Sequence, residues 1–321
     1  MSLINAASLG LSAAPSFISN SFDGLLRLLG LQGASSPAAG TPFSVLYAFG
    51  DSLSGAGNDY VLSLGKIPVS PPYSDGRFTD GPVWVQDLAD SLRLPAVTAS
   101  LRGGSDFAYG SAETGATPLH AEAPIDLPSQ LSQFNLANPK PQADALYTLS
   151  IGNNDVLDSI SPFPTDTATA LVNIAVAAEN ETKFILSLIG DGARNLAVLN
   201  VPDLGKTPRA TSLGTGAVQV ASYLSALYDQ QLNGALRPLF GAVNLHVIDT
   251  FPLLDAAIAN PGAYGLTNVT DPLWTGNYTD PSSGTLQATG AAASGYLFFD
   301  SIHPTAHGHA LLAAAAQASL A

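Results

Sequence analysis

The chain has 321 residues, 46% apolar and 11% charged, with 11 Lys and Arg against 25 Asp and Glu and a formal charge of −14. That length supports a sizeable core in one large α/β domain or two, and that charge argues against nucleic acid and against electrostatic docking on anionic membranes. The absence of Cys excludes disulfides, thiolate catalysis and cysteine-ligated metals.

Residues 1–41 read as an N-terminal extension ahead of a main domain spanning 42–321. The extension carries a helical patch (Phe22, Leu25, Leu26, Leu28, Leu29) that ends in a Gly/Ser/Pro/Ala linker from Gly33 to Pro42. A helix packed on the main body is the preferred reading of that patch over a membrane anchor. Met1 to Ala14 is apolar, yet no Lys or Arg precedes Arg27, so a standard secretory n-region is missing. Either a signal has been removed or export follows another route. The small polar composition of the surface-like stretches suits a secreted or cell-surface protein. No run reaches the roughly 18 apolar residues of a spanning helix.

From Phe43 onward, strand-like runs at 44–49, near 106–109, 145–151, 195–201 and 244–249 alternate with helical stretches at 83–93, 127–136, 166–189, 215–236 and 304–319. Such alternation predicts a three-layer α/β/α, flavodoxin-like sandwich around a mostly parallel sheet. The stretch from Pro261 to Ser294, rich in Gly, Thr, Asn and Pro, reads as a long surface loop or small excursion that could border the site. In open sheets of this kind ligands bind beyond the carboxyl ends of the strands. Ser52 follows the first strand and Asn154 follows the Leu146–Ile151 strand, so both belong on that rim.

Gly50-Asp51-Ser52 alone is a turn whose serine caps the next helix. Asp300 and His303, about 250 residues downstream, change its meaning. A serine hydroxyl needs a histidine to take its proton, and the histidine needs a carboxylate to fix its tautomer. Three residues apart, Asp300 and His303 can be presented by one turn, with Asp300 accepting the Nδ1–H while Nε2 faces Ser52. His303 and His307 share a zinc-like spacing, but no Glu follows His303 and Pro304 sets the helix start. No metal is expected, and His307, His309 and His120 read as ordinary polar or capping residues.

Four segments in order resemble the blocks of the GDSL (SGNH) hydrolase family: Phe49-Gly50-Asp51-Ser52-Leu53-Ser54, Asp106-Phe107-Ala108-Tyr109-Gly110-Ser111-Ala112, Ile151-Gly152-Asn153-Asn154-Asp155 and Asp300-Ser301-Ile302-His303-Pro304-Thr305. Pro72 to Phe78 and Leu199 to Gly205 add to the resemblance, which covers about residues 43–319. Each block alone is short; four in order on the expected elements are specific. The resemblance implies Ser52 as nucleophile, its own backbone N–H as one oxyanion donor and the Asn154 amide, rather than Asn153, as another. Asp51 and Asp155 are expected to be supports. The second block departs from the family, where paired glycines are usual and the second donates its N–H. Here that position is Ser111, with Gly110 the alternative donor. Tyr73, Phe78 and Trp84 line or brace the entrance, or simply pack the core.

The implied activity is serine-dependent hydrolysis of carboxylic esters, most readily short- to medium-chain acyl esters, through an acyl-enzyme and without a cofactor. The substrate would be a small-molecule, lipid or glycan ester. A carbohydrate O-acetyl esterase, or a lysophospholipase or acyltransferase, would use the same machinery. A binding or adhesion module on a hydrolase fold is the alternative of another class. Activity is expected to fall as His303 protonates in acid. Oligomeric state is left open.

Overall fold

A computed structural model describes residues 43–138, 140–160 and 166–321. The helical patch at 22–29 and its linker lie outside the described residues. Four strands, β1 (Leu46–Gly50), β2 (Leu146–Ser150), β3 (Asn195–Leu199) and β4 (Asn244–Ile248), form a sheet in that order. Every neighbouring pair is parallel, with Leu46 opposite Leu146, Leu146 opposite Asn195 and Asn195 opposite Asn244.

Successive side chains on a strand point to opposite faces, and here both faces are apolar. Tyr47, Phe49, Tyr147, Leu149, Leu196 and Val198 point into one core, against α3 (Leu127–Ala137), α4 (Asn153–Ser159), α5 (Thr167–Asp191) and α7 (Thr215–Leu236). Leu46, Ala48, Leu146, Ala197, Leu199 and Ile248 point into the other, against α2 (Trp84–Ser91) and α9 (Ala306–Leu320). This is the expected three-layer α/β/α sandwich with a parallel central sheet. Trp84 is fully buried in the second core, its indole N–H donating to Ser54 Oγ at 3.1 Å, so it packs the core and does not line an entrance.

The expected strand near 106–109 is instead an extended edge segment. Phe107 N–H donates to Ala48 O at 2.8 Å and Tyr109 N–H to Gly50 O at 3.2 Å, alongside a single bridge from Asp106 to Ala48. On its outer edge the Asp106 carboxylate accepts from Ala56 N–H at 2.6 Å and Ala108 N–H at 3.0 Å, so the Ala108 N–H is not free to pair with a further strand. Short helices α1 (Asn58–Leu62), α6 (Pro208–Ser212) and α8 (Thr250–Ala259) fill the connections. Between Pro261 and Ser294 most of the chain is loop. Yet β5 (Asn268–Pro272) pairs with β6 (Tyr296–Phe298), and Leu273 and Trp274 pack on Tyr73, Phe78 and Phe299. Among the described residues no helix is long and apolar enough to cross a membrane.

Candidate active site

β1 stops at Gly50, where a φ of +126° and the carbonyl of Ser150, which any Cβ would strike, both demand glycine. The fully buried Gln130 of α3 grips this residue on both sides. Its Oε1 accepts Gly50 N–H at 2.9 Å, and its Nε2 donates to Gly50 O at 2.8 Å. Asp51 then sets the turn. Its carbonyl accepts the N–H groups of Ser54 and Gly55 at 3.1 Å, its Oδ1 accepts from Leu53 N–H at 2.9 Å, and its Oδ2 accepts from Asn153 Nδ2 at 2.8 Å. Burial pushes the Asp51 carboxyl up to about 6. Its oxygens are committed to the turn, as expected of a support.

β6 carries the other half of the site to the same place. The Ser52 hydroxyl lies 2.9 Å from His303 Nε2, across 251 residues of sequence, and His303 Nδ1 lies 2.7 Å from Asp300 Oδ2. Asp300 Oδ1 accepts the backbone N–H groups of Ile302 at 2.9 Å and His303 at 2.8 Å, which is how one turn aims both side chains. Asp300 is buried, which by itself raises its pKa. The His303 charge, the His303 ring hydrogen bond and the two backbone donors outweigh that and hold the carboxyl below its ordinary value. With Nδ1–H given to an ionised Asp300, the Nε2 lone pair faces the Ser52 hydroxyl, the arrangement that lets a histidine take a serine's proton.

Two further groups complete this chain. The Tyr73 hydroxyl donates to Asp300 Oδ2 at 2.8 Å, the same oxygen that holds the histidine. Burial and the neighbouring Asp300 push the Tyr73 phenol upward, so it remains a donor. Phe78 stacks on the His303 ring with centroids 5.3 Å apart, and Tyr278 from the long loop meets Phe78 edge-on at 5.5 Å. Phe78 and the loop thus brace the histidine.

The oxyanion candidates are less closely gathered. Asn153 is spent on Asp51, whereas Asn154 lines the same cleft as Ser52 and His303. Asn154 Nδ2 donates to Ala112 O at 2.8 Å, tying α4 to the turn at 110–112. Gly110 N–H is committed to Asp59 Oδ2 at 2.7 Å, and a Cβ on Gly110 would lie 2.5 Å from the Phe78 ring. Ser111 is exposed and not among the residues lining the cleft; it holds the left-handed φ of +60° that glycine adopts without cost. Asp155, buried and pushed up to about 7 by that burial, accepts from the Thr114 hydroxyl at 2.8 Å and is a support.

The cleft is the feature no motif announced. It opens beside Ser52, its floor at the strand ends (Ser150, Leu199) and its walls built from Leu253, Leu254 and Ala257 of α8 and Leu311 and Leu312 of α9. Of the zinc-like pair, His303 has both ring nitrogens engaged by Asp300 and Ser52. His307 is hydrogen-bonded to Ser294 O at 2.7 Å. His309 is fully buried, pushed down to about 3 chiefly by that burial, and accepts from Trp84 N–H at 3.3 Å.

A parallel α/β/α sandwich with a Ser–His–Asp hydrogen-bond chain at the carboxyl rim of its sheet has the layout of a hydrolase site. The family model described as GDSL-like Lipase/Acylhydrolase matches residues 46–316, and the chain belongs to that family. It is a carboxylic ester hydrolase of the GDSL type. A phosphatidylcholine-sterol acyltransferase from Aeromonas hydrophila is 31% identical over 256 residues, covering 78% of this chain and 72% of that protein. A GDSL lipase from Tanacetum cinerariifolium is 29% identical over 301 residues, covering 81% and 80%. Among solved structures, an acetylxylan esterase from Geobacillus stearothermophilus matches with a TM-score of 0.47 at 13% identity, covering 88% of this chain and 96% of that one.

Proposed function

We propose that this hydrolase cleaves esters of short- to medium-chain acids through an acyl-enzyme on Ser52. Ser52 Oγ attacks the ester carbonyl while His303 Nε2 takes its proton, and Asp300 stabilises the imidazolium. The tetrahedral intermediate collapses, and His303 returns the proton to the departing alcohol. Water, activated by the same histidine, then cleaves the acyl-serine and regenerates the hydroxyl. The backbone N–H groups of Ser52 and Ser111 and the Asn154 amide are the proposed oxyanion donors; Gly110 is disfavoured because its N–H serves Asp59.

One observation carries this reading: the 2.9 Å and 2.7 Å links from Ser52 through His303 to Asp300 stand at the mouth of an apolar cleft. The acyl chain would run from Ser52 toward Leu253 and Leu254. The deciding experiment is hydrolysis of p-nitrophenyl esters from acetate to palmitate, with Ser52→Ala beside the wild type. We expect an optimum at short to medium chains and no turnover in the variant. Equal turnover in both proteins would overturn the assignment of Ser52.

Acyl transfer is the second reading, favoured by the apolar leucine walls and by the name of the Aeromonas relative. It predicts ester product when a sterol or long-chain alcohol is added at constant acyl donor. We also place the protein outside the cytoplasm, on its composition, and expect its activity in the medium or cell-surface fraction of the source cells.

A further inference from the structure

Away from Ser52, the loop between 110 and 126 folds Glu113, His120 and Asp126 against α4, which brings Asp155 and Asp158 to the same place. Glu113 is 4% exposed, Asp126 and Asp155 are fully buried, and Asp158 is half-buried. Among the described residues no Lys or Arg lies within ion-pair range of any of them; their one basic neighbour is His120. Buried carboxylates without a cation are costly.

We propose that Glu113, His120 and Asp158 form a binding site for one divalent cation of the zinc or manganese class. One carboxylate oxygen of Glu113, one of Asp158 and one ring nitrogen of His120 lie within 4.8 Å of one another. Glu113 Oε1 is 3.0 Å from His120 Nδ1, while its Oε2 is buried with no hydrogen-bond partner. The Asp158 carboxyl stands close enough to Glu113 that a proton or a cation must sit between the two acids.

The outer contacts fit as well. His120 Nε2 lies 2.8 Å from Asp126 Oδ2, and Asp126 is itself fixed by the N–H groups of Glu113 at 2.9 Å and Ala123 at 2.7 Å. A carboxylate behind one ring nitrogen turns the other toward the metal, the usual support of a ligating histidine. One imidazole and two carboxylates suit zinc or manganese, whereas calcium and magnesium prefer oxygen alone. His120 and Asp158 are partly exposed, which leaves a route in from solvent.

Glu113 lies two residues beyond Ser111 and Asp158 one turn beyond Asn154. The ion would therefore pin the loop to α4 directly behind the proposed oxyanion donors. This inference does not rest on the ester-cleaving chemistry of Ser52.

The test is calorimetric titration of the chelator-treated full chain with zinc chloride and, separately, manganese chloride near neutral pH. Histidine ring resonances are followed by NMR in the zinc titration. We expect about one equivalent bound, a higher Tm and a shifted His120 signal. Glu113→Gln and Asp158→Asn should each weaken binding at least tenfold, and His307→Ala should leave it unchanged. If a variant fails to fold, the wild-type His120 signal decides. The proposal is overturned by no stoichiometric binding of either metal up to millimolar concentration. Binding that survives both carboxylate substitutions, or a shift confined to His303 or His307, would overturn it too.

Discussion

Two histidines in this protein sit beside buried carboxylates, and their third partners differ. His303 lies between Asp300 at 2.7 Å and the Ser52 hydroxyl at 2.9 Å. His120 lies between Asp126 at 2.8 Å and a second carboxyl, Glu113, at 3.0 Å. A hydroxyl has a proton to give and leaves a nucleophile behind, whereas a second carboxylate adds negative charge that a proton or a cation must offset. The same pair of side chains therefore suits the proposed proton relay at one place and the proposed trap for a proton or metal ion at the other.

The comparison is tested most severely at the relay. Ser52→Ala or His303→Ala should lower kcat for p-nitrophenyl butyrate by roughly a million-fold, to near background. Asp300→Asn keeps the shape but loses the tautomer control, and kcat should fall about ten-thousand-fold with KM little changed. Glu113→Gln, the matching change at the second histidine, should leave hydrolysis standing; a loss as large as that of Asp300→Asn would break the distinction.

Asn154→Ala should cost ~3 kcal/mol of transition-state stabilisation, a hundred- to thousand-fold in kcat. Tyr73→Phe removes one donor from Asp300 Oδ2, and steady-state kinetics should show a loss of about tenfold, ~1.4 kcal/mol. A Tyr73→Phe enzyme indistinguishable from wild type would make that hydroxyl a packing group.

The smallest effect is on stability. Glu113 is held at about 9 in the fold, mainly by burial, well above the ordinary value of a glutamate. The folded state therefore binds a proton that the unfolded chain releases at lower pH. That contribution is fully present below the unfolded pKa and is lost as pH rises through about 9. In metal-free buffer, Tm should decline between pH 5 and pH 9, and Glu113→Gln should flatten the decline. Asp51, held up at about 6 by burial, adds to the acid end of the same slope.

What the chain determined by itself was local or periodic. Unbroken apolar runs marked the four strands, and the helices at 84–91, 127–137, 167–191, 215–236 and 306–320 lie within two residues of their expected bounds. Asp300 and His303 were legible because three residues suffice to aim both, through the Asp300 Oδ1 contacts to two backbone N–H groups. The helix α8 was not legible, because its apolar run Phe251 to Ile258 shows no polar face to set a period. The segment at 106–109 looked like a strand until the Asp106 carboxylate turned back on its own backbone.

Tertiary structure alone decided which distant groups meet. Tyr73 reaches Asp300 across 227 residues, Gln130 clamps Gly50 across 80, and Asp59 takes the Gly110 N–H across 51. The cleft walls come from α8 and α9, and Glu113, His120 and Asp158 converge from a loop and a helix. A short motif carries its own backbone geometry, but convergence of side chains depends on how layers pack, and no spacing along the chain records that.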